Sequence, residues 1–485
     1  MFKQQKRVSF KVVMMKMAEP NHKLHVAVFP WLALGHMIPY LQLSKLIATK
    51  GHTVTFISTP RNISRLPKTP SSDNLSINFV SLPLPNAVDN LPENAESTTD
   101  VPETHIGYLK KAFDGLSESF SEFLQASQPD WIVHDILHYW VPPIAEKLGV
   151  RRAIFCTFTA ASIIIINGPS SIMIHGRDPR KTVEDLVAPP PWVPFETNIV
   201  YRPFEARRFM EYPTAGVTGA ELNDNYRTGL TYAGTEVIAI RTCMELEPEW
   251  IQLLSKIHGK TVIPIGLLPA TTTDDDADDE KTWLDIREWL DTQRAKSVVY
   301  AALGTEVSVS DKEIQGLAQG LELCGLPFFW TIRKRAGASV VLPDGFEERV
   351  KGRGVIRTEW APQARILSHG SIGGFVTHCG WGSAVEGLSF GVPLIMFPCN
   401  LDQPLVARML AGMNIGLEIP RDERDGSFTS ASVAETIRLV VVEEEGKIYR
   451  DTAKSMQKKV FGNKRLQDQY VDSFIKFMEN HRAEM

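Results

Sequence analysis

Short apolar runs alternate with longer stretches of mixed polarity along most of the chain. Residues 24–30, LHVAVFP, have the apolar character of a buried strand, and residues 41–52, LQLSKLIATKGH, have the spacing of a helix. The run TVTFIST that follows completes a strand–helix–strand unit. Because such units build parallel sheets with helices on both faces, the pattern predicts a doubly wound α/β fold.

A second series of buried strands begins near residue 297. Its members are SVVYAAL, FFWTIR, GVIRTEW, IGGFVTH and VPLIMFP, with helical stretches between them. The stretch from Pro269 to Glu280, which precedes this series, is acidic and reads as a solvated linker. We therefore expect two Rossmann-like domains facing across a cleft. The predicted ranges are an extension at 1–21, a first domain at 22–255, a linker at 256–282, a second domain at 283–460 and a terminal helix at 461–485.

Length and composition agree with this division. The 485 residues suffice for two domains with a core each. The net charge of −5 gives no basic footprint for nucleic acid, and the apolar run at 153–166 is too short and too polar to span a bilayer. Five scattered cysteines predict free thiols in a reducing cytosol, so we expect a cytoplasmic protein. The basic first twenty residues are interpreted as a dispensable extension rather than a transit peptide.

The segment at 360–403 contains many glycines, few charges and isolated polar side chains. Trp360 offers a flat face for stacking a base, and Gln363 can both donate to and accept from the edge of uracil. A strand and a glycine-rich turn then lead into a helix that we expect to open near Ser383. The N-terminus of a helix favours anions, so a diphosphate fits there, with His378 as an additional donor. Glu386, one turn into the helix, can accept from both ribose hydroxyls.

Two more turns belong with this segment. Asp402 and Gln403 follow the strand VPLIMFP, at the carboxyl end where ligands bind in open α/β sheets. Gly304 and Thr305 follow another strand and form a small-residue turn that could contact phosphate. Each of these residues taken singly has a structural interpretation, such as a core tryptophan or a helix cap. Their order along 44 residues favours a nucleotide-sugar site.

Two competing motifs are weaker. Residues 387–391 match the G-x-S-x-G elbow of hydrolases around Ser389, but a helix precedes them and a strand follows, the reverse of the required order. His134 and His138 are four apart, as in some metal pairs, yet His134 falls at a strand end, where that spacing does not converge. We therefore predict no metal site.

The length and order of the 360–403 segment resemble the signature box of plant family 1 UDP-dependent glycosyltransferases. The most specific matches are WAPQ, HCGW, Glu386-Gly387, the terminal DQ and the start FPWLALGH, and the resemblance runs from about Leu24 to about Phe477. It implies a GT-B-like fold, a terminal helix that crosses back onto the first domain, and a UDP-sugar as co-substrate with no cofactor. The implied donor-binding residues are Thr305, Trp360, Ala361, Gln363, His378, Trp381, Gly382, Ser383, Glu386, Asp402 and Gln403.

The resemblance also assigns the catalytic pair. His36 lies in the predicted loop after the first strand, and Asp135 ends the strand of PDWIVHD. In the family, these positions hold the general base and the carboxylate that orients it. A histidine with a pKa near 6.5 suits proton removal from a hydroxyl at neutral pH, and a buried carboxylate fixes its tautomer.

Donor and acceptor stay partly open. The position after Trp381, commonly asparagine in the family, is Gly382, which removes a side-chain contact and leaves UDP-glucose and UDP-rhamnose as alternatives. Gln403 favours glucose, since an amide can pair with the sugar 3- and 4-hydroxyls. The segments FPWLALGHMIPYLQLSKLIA and QPDWIVHDILHYW look closest to the branch-forming members, which add a sugar to a sugar already carried by a flavonoid or terpenoid. We expect an inverting, monomeric transferase with a small-molecule acceptor and without nucleic-acid or membrane partners; His36 and Asp135 argue against a non-catalytic binder.

Overall fold

The computed structural model describes residues 23–67, 75–85, 88–212, 222–269, 278–304, 309–332 and 340–482. The predicted extension at 1–21 and the predicted phosphate contact Thr305 lie outside the described residues. Within the described ranges no helix has the length and apolar character needed to cross a membrane.

Two separate parallel sheets organise the described residues. The first has the strand order β3-β2-β1-β4-β5-β6-β7 and the second the order β10-β9-β8-β11-β12-β13. The two sheets confirm the prediction of two doubly wound α/β domains. The strands are β1 His25–Phe29, β2 Thr53–Ser58, β3 Ile77–Ser81, β4 Trp131–His134, β5 Arg151–Cys156, β6 Val237–Ile240, β7 Thr261–Pro264, β8 Val298–Ala302, β9 Phe328–Thr331, β10 Gly354–Arg357, β11 Ile372–Thr377, β12 Leu394–Met396 and β13 Gly416–Glu418.

Helices connect successive strands and cover the sheets, as parallel pairing requires. The helices are α1 Leu34–Thr49, α2 Pro60–Arg65, α3 Ile106–Asp114, α4 Ser117–Ser127, α5 Val141–Lys147, α6 Ala160–Ile166, α7 Ser170–His175, α8 Val183–Leu186, α9 Pro203–Glu211, α10 Asp224–Gly234, α11 Pro248–His258, α12 Asp278–Asp291, α13 Asp311–Leu323, α14 Phe346–Arg349, α15 Gln363–Ser368, α16 Trp381–Ser389, α17 Gln403–Gly412, α18 Ser430–Val441, α19 Lys447–Met456 and α20 Lys464–Asn480.

Two helices begin earlier than the sequence pattern predicts. Helix α1 begins at Leu34 and includes Pro39, so His36 lies in its first turn rather than in a loop. A proline inside a helix removes one backbone hydrogen bond, but Met37 and Tyr40 are fully buried on this stretch, and their packing offsets that cost. Helix α16 begins at Trp381, two residues before the expected start at Ser383.

The predicted linker also differs from the structure. Strand β7, Thr261–Pro264, lies inside the predicted linker range and pairs in parallel with β6, so the first sheet extends to Pro264. Helix α12 begins at Asp278, also inside that range. The acidic composition of 269–280 does not mark the end of the sheet, because TVIP is a short, incompletely buried edge strand whose sequence signal is weak.

Helix α20 packs against the first domain. Its Phe474 shares a buried cluster with Trp131 and Val26, which belong to the first sheet. The indole Nε1 of Trp131 donates to the carbonyl of Met478 at 3.0 Å. Helix α20 therefore stabilises the first domain.

Contacts between the two halves of the chain are polar as well as apolar. Helix α9, from the first half, places Glu205 against Arg408 of α17, with a shortest distance of 2.7 Å, and both side chains are buried. The Tyr201 hydroxyl donates to the carbonyl of Leu401 at 2.8 Å, directly before Asp402. These contacts hold the loop that begins α17 against the first domain.

Candidate active site

His36 and Asp135 come together because their strands are neighbours. Strands β1 and β4 pair in parallel with Phe29 opposite His134, so the segments that follow them leave the same sheet edge side by side. The Nδ1 atom of His36 lies 2.8 Å from Oδ2 of Asp135. The His36 side chain is 13% exposed and that of Asp135 is 0% exposed, so the histidine faces the cleft and the carboxylate lies behind it.

The surroundings of Asp135 keep it ionised. Its carboxylate also accepts from the backbone N–H groups of Trp31 at 3.0 Å and Ile136 at 2.7 Å. Burial raises the pKa of Asp135, but the charge and hydrogen bond of His36 outweigh that effect and leave the pKa below its usual range. An ionised Asp135 accepts the Nδ1–H of His36, which makes Nε2 the basic nitrogen of that ring.

Two further histidines flank Asp135 and are fully buried. Burial lowers the pKa of His134 to about 4 and that of His138 to about 3, so both are neutral at pH 7. The Nδ1 atom of His138 accepts from the backbone N–H of Asp135 at 3.4 Å. Among the described residues, no three His, Cys, Asp or Glu side chains are grouped as ligands for one metal ion.

Three predicted donor-binding residues meet between α15 and α16. The amide nitrogen of Gln363 donates to Glu386 at 2.6 Å and to the Ser383 hydroxyl at 3.3 Å. The hydroxyl of Tyr300 donates to the Gln363 amide oxygen at 3.3 Å. Trp360, just before α15, is 41% exposed, which is unusual for so large an apolar side chain and leaves a face accessible.

The turn before α16 is built around the ring of His378. A Cβ atom at Gly304 would lie 2.7 Å from this ring and one at Gly380 would lie 2.5 Å from it, so the backbone approaches on both sides as only glycine allows. Cys379, between His378 and Gly380, has a left-handed φ of 65°. Burial lowers the pKa of His378 to about 4, and its Nδ1 has no hydrogen-bond partner in the described residues. A neutral ring with an unused nitrogen thus lies at the start of α16.

Two predicted donor residues have buried side chains. The Trp381 indole is 3% exposed and donates from Nε1 to the carbonyl of Arg241 at 2.7 Å, across the domain interface. Only the backbone of Trp381 is therefore positioned to contact a donor. Ala361 is buried beside α15. The roles assigned to these residues, as to the others of the segment, stay predictions.

Asp402 and Gln403 start helix α17. Burial raises the pKa of Asp402 to about 6, and the charge of His36 acts weakly against that shift. The amide oxygen of Gln403 accepts from the backbone N–H groups of Cys399 at 3.0 Å and Asn400 at 3.2 Å. The Gln403 side chain thus shapes its own loop, a role that the sequence did not indicate.

Arg241 also lies near the start of α16, although the sequence did not predict it there. It follows β6 directly, is 4% exposed, and extends towards Gly382. The available signal was an arginine at the end of the apolar run VIAI, because the carboxyl ends of parallel strands line the binding edge.

The chain is similar to known proteins over nearly its whole length. The family profile described as "UDP-glucoronosyl and UDP-glucosyl transferase" matches residues 236–457. The protein named UDP-glycosyltransferase 91B1, from Arabidopsis thaliana, is 81% identical over 96% of this chain and 99% of that protein. Soyasaponin III rhamnosyltransferase from Glycine max is 40% identical over 95% of this chain and 96% of that protein.

A solved structure supports the fold. The crystal structure of Glycyrrhiza uralensis UGT73P12, complexed with glycyrrhetinic acid 3-O-monoglucuronide, aligns with a TM-score of 0.76. The alignment covers 95% of this chain and 96% of that one at 22% sequence identity, so it speaks to the architecture alone.

Proposed function

The chain belongs to the plant family 1 UDP-glycosyltransferases, and from this premise we propose that it transfers glucose from UDP-glucose to a sugar hydroxyl of a plant glycoside, with inversion at the anomeric carbon. The acceptor class is a flavonoid or terpenoid that already carries a sugar. The observation that carries the proposal is the 2.8 Å contact between His36 Nδ1 and Asp135 Oδ2.

The proposed reaction is a single displacement. Nε2 of His36 takes the proton of the acceptor hydroxyl as its oxygen attacks the anomeric carbon of the donor. The new glycosidic bond forms while the bond from that carbon to the β-phosphate oxygen breaks, and UDP leaves with the electron pair. The ionised Asp135 stabilises the imidazolium that forms on His36.

The second domain would hold the donor along the 360–403 segment. Stacking of uracil on Trp360 would contribute roughly 1–3 kcal/mol. Glu386 would bind the ribose hydroxyls, and the N-terminus of α16 would stabilise the diphosphate and the leaving UDP through its backbone N–H groups. This assignment uses no metal, so we expect activity to persist in excess EDTA.

UDP-rhamnose is the second candidate donor. A relative that is 40% identical is named a rhamnosyltransferase, so the donor sugar varies among similar chains. The case for glucose as the first candidate rests on Gln403, whose amide pairs with Cys399 and Asn400 of its own loop and would have to turn to the sugar hydroxyls when the donor binds.

A two-by-two assay tests the proposal. UDP release would be measured with UDP-glucose and with UDP-rhamnose, each with a flavonoid or terpenoid aglycone and with its monoglucoside. We expect UDP-glucose with the monoglucoside to be fastest by at least about tenfold, a difference of about 1.4 kcal/mol in barrier. Proton NMR of the product should show a β-linked glucose. A preference for UDP-rhamnose would show that glucose is not the donor sugar. A preference for the aglycone would refute the proposed acceptor class, and an α-linked glucose in the product would refute inversion.

A further inference from the structure

Arg241 is a buried cation without a counter-ion in the described residues. Its Nε donates to the carbonyl of Leu267 at 2.7 Å and its Nη2 to the carbonyl of Leu268 at 2.9 Å. In the ranges that the structure describes, Nη1 makes no hydrogen bond and no carboxylate oxygen lies within 4.0 Å of the guanidinium. A buried charge that is not paired is expensive, so such a group is expected to meet an anion.

The remaining nitrogen extends towards the start of α16. A Cβ atom added to Gly382, the second residue of that helix, would lie 3.7 Å from Nη1, and outside its own helical turn no other atom of the described residues lies within 4 Å of it. The indole of Trp381 donates to the carbonyl of Arg241 at 2.7 Å, which fixes the arginine backbone against the helix. Among the described residues, glycine at position 382 therefore leaves space between the guanidinium and the first turn of α16.

The charge state of Arg241 suits an anion at this place. Burial lowers the pKa of Arg241 to about 10, and the charge of Glu386 acts in the opposite direction. The guanidinium is thus positively charged at pH 7. The N-terminus of α16 adds the partial positive charge of a helix end, so two sources of positive potential converge from the two domains.

We propose that Arg241 is a donor-binding residue, which reaches from the first domain and donates from Nη1 to the diphosphate of the UDP-sugar through the space at Gly382. The inference rests on the proposed function, because it needs a nucleoside diphosphate at α16. In this arrangement the diphosphate is the counter-ion of the buried Arg241, so donor binding depends on the contact between the two domains.

The alternative is that Arg241 only ties β6 to the segment at Leu267 and Leu268. A structural tie would affect every ligand of the cleft to a similar extent. A diphosphate contact would affect UDP and spare uridine, because uridine carries no phosphate. The comparison of these two ligands therefore separates the two roles.

The experiment is calorimetric titration of uridine and of UDP into the wild-type chain, Arg241→Gln and the control Arg353→Gln. Arg353 also donates only to backbone carbonyls in the described residues, those of Leu321, Glu322 and Leu326, but it lies away from α16. We expect Arg241→Gln to lower the affinity for UDP by about 10- to 100-fold, the range for a charge-assisted hydrogen bond, and to leave the affinity for uridine unchanged. Arg353→Gln should change neither ligand.

Equal losses for UDP and uridine, or no loss for either, would overturn the inference. If wild-type protein bound neither ligand, the proposed function itself would fail, which is a separate outcome. Should Arg241→Gln not fold, as judged by its thermal midpoint, Arg241→Lys carries the test. Lysine keeps the charge but cannot hold both carbonyls and the diphosphate, so UDP should weaken at least about threefold with uridine unchanged. An unaltered UDP-to-uridine affinity ratio in Arg241→Lys would then overturn the inference.

Discussion

Replacing Asp135 with asparagine tests how the carboxylate directs His36. Asp135 accepts from His36 Nδ1, from the Trp31 N–H and from the Ile136 N–H. Asparagine has a single acceptor oxygen. If that oxygen stays with the Ile136 N–H, the NH2 group faces the Trp31 N–H and His36 Nδ1–H. Both of these are donors and need an acceptor, which the NH2 group cannot provide.

Two separate losses follow from this arrangement. The Trp31 N–H is left without an acceptor in a buried place, which should lower the free energy of unfolding by about 1–3 kcal/mol. His36 must then accept at Nδ1 and carry its proton on Nε2, the nitrogen needed as base. The same change in a serine-protease triad lowers kcat about 10⁴-fold, so we expect a loss of about 10²–10⁴.

The assay measures kcat with saturating donor and acceptor, the UDP dissociation constant by calorimetry, and unfolding in urea. UDP affinity should be unchanged, because none of the proposed nucleotide contacts, Arg241 included, involves Asp135 or His36. Asp291→Asn is the matched control, since Asp291 also pairs with a histidine, His369 at 3.0 Å, but on the surface. A folded Asp135→Asn enzyme with kcat within about fivefold of wild type would show that Asp135 does not direct the proton of His36, because a fivefold change is under about 1 kcal/mol.

Three further predictions concern other parts of the chain. Glu386→Ala should weaken the binding of UDP and of any UDP-sugar equally, whereas Gln403→Ala should leave UDP affinity unchanged and impair only use of the intact donor. Calorimetry with UDP checks both, and the reverse pattern would contradict the proposed contacts of Glu386 with the ribose and of Gln403 with the sugar. His258 is buried with no hydrogen bond to either ring nitrogen in the described residues, which costs stability even when the ring is neutral. Burial also lowers its pKa to about 4, so between pH 6.5 and pH 4 the unfolded chain takes up a proton that the folded chain does not, and stability falls as the pH drops through that range. His258→Phe should therefore stabilise the protein by about 1 kcal/mol at pH 7 and by more at pH 5, and equal or lower urea midpoints at both pH values would count against this. Arg408→Met should cost up to about 3–5 kcal/mol in urea unfolding, because Glu205 and Glu418 both lose their buried cation and keep only the more exposed Arg202, and a cost below about 1 kcal/mol would contradict that expectation.

The sequence predicted what apolar patterning and motif spacing determine. Strands such as Trp131–His134 were recognisable because their apolar runs are continuous, and Asp135 could be placed at a strand end for that reason. The start of α1 was not predictable, since Pro39 argues locally against a helix and only tertiary packing outweighs it. Arg241 was missed because its meaning depends on a neighbour 141 positions away, Gly382, which no local pattern connects to it.

The role of His36 is tested by measuring turnover and UDP affinity in His36→Ala. We expect kcat to fall by about 10²–10⁴, the usual contribution of a positioned base, while the UDP dissociation constant stays within about twofold. His369→Ala, which removes another part-buried histidine paired with an aspartate, Asp291, should leave both quantities unchanged. Turnover within a few fold of wild type, or a collapse of UDP affinity together with activity, would contradict the claim that His36 is the base of this transferase.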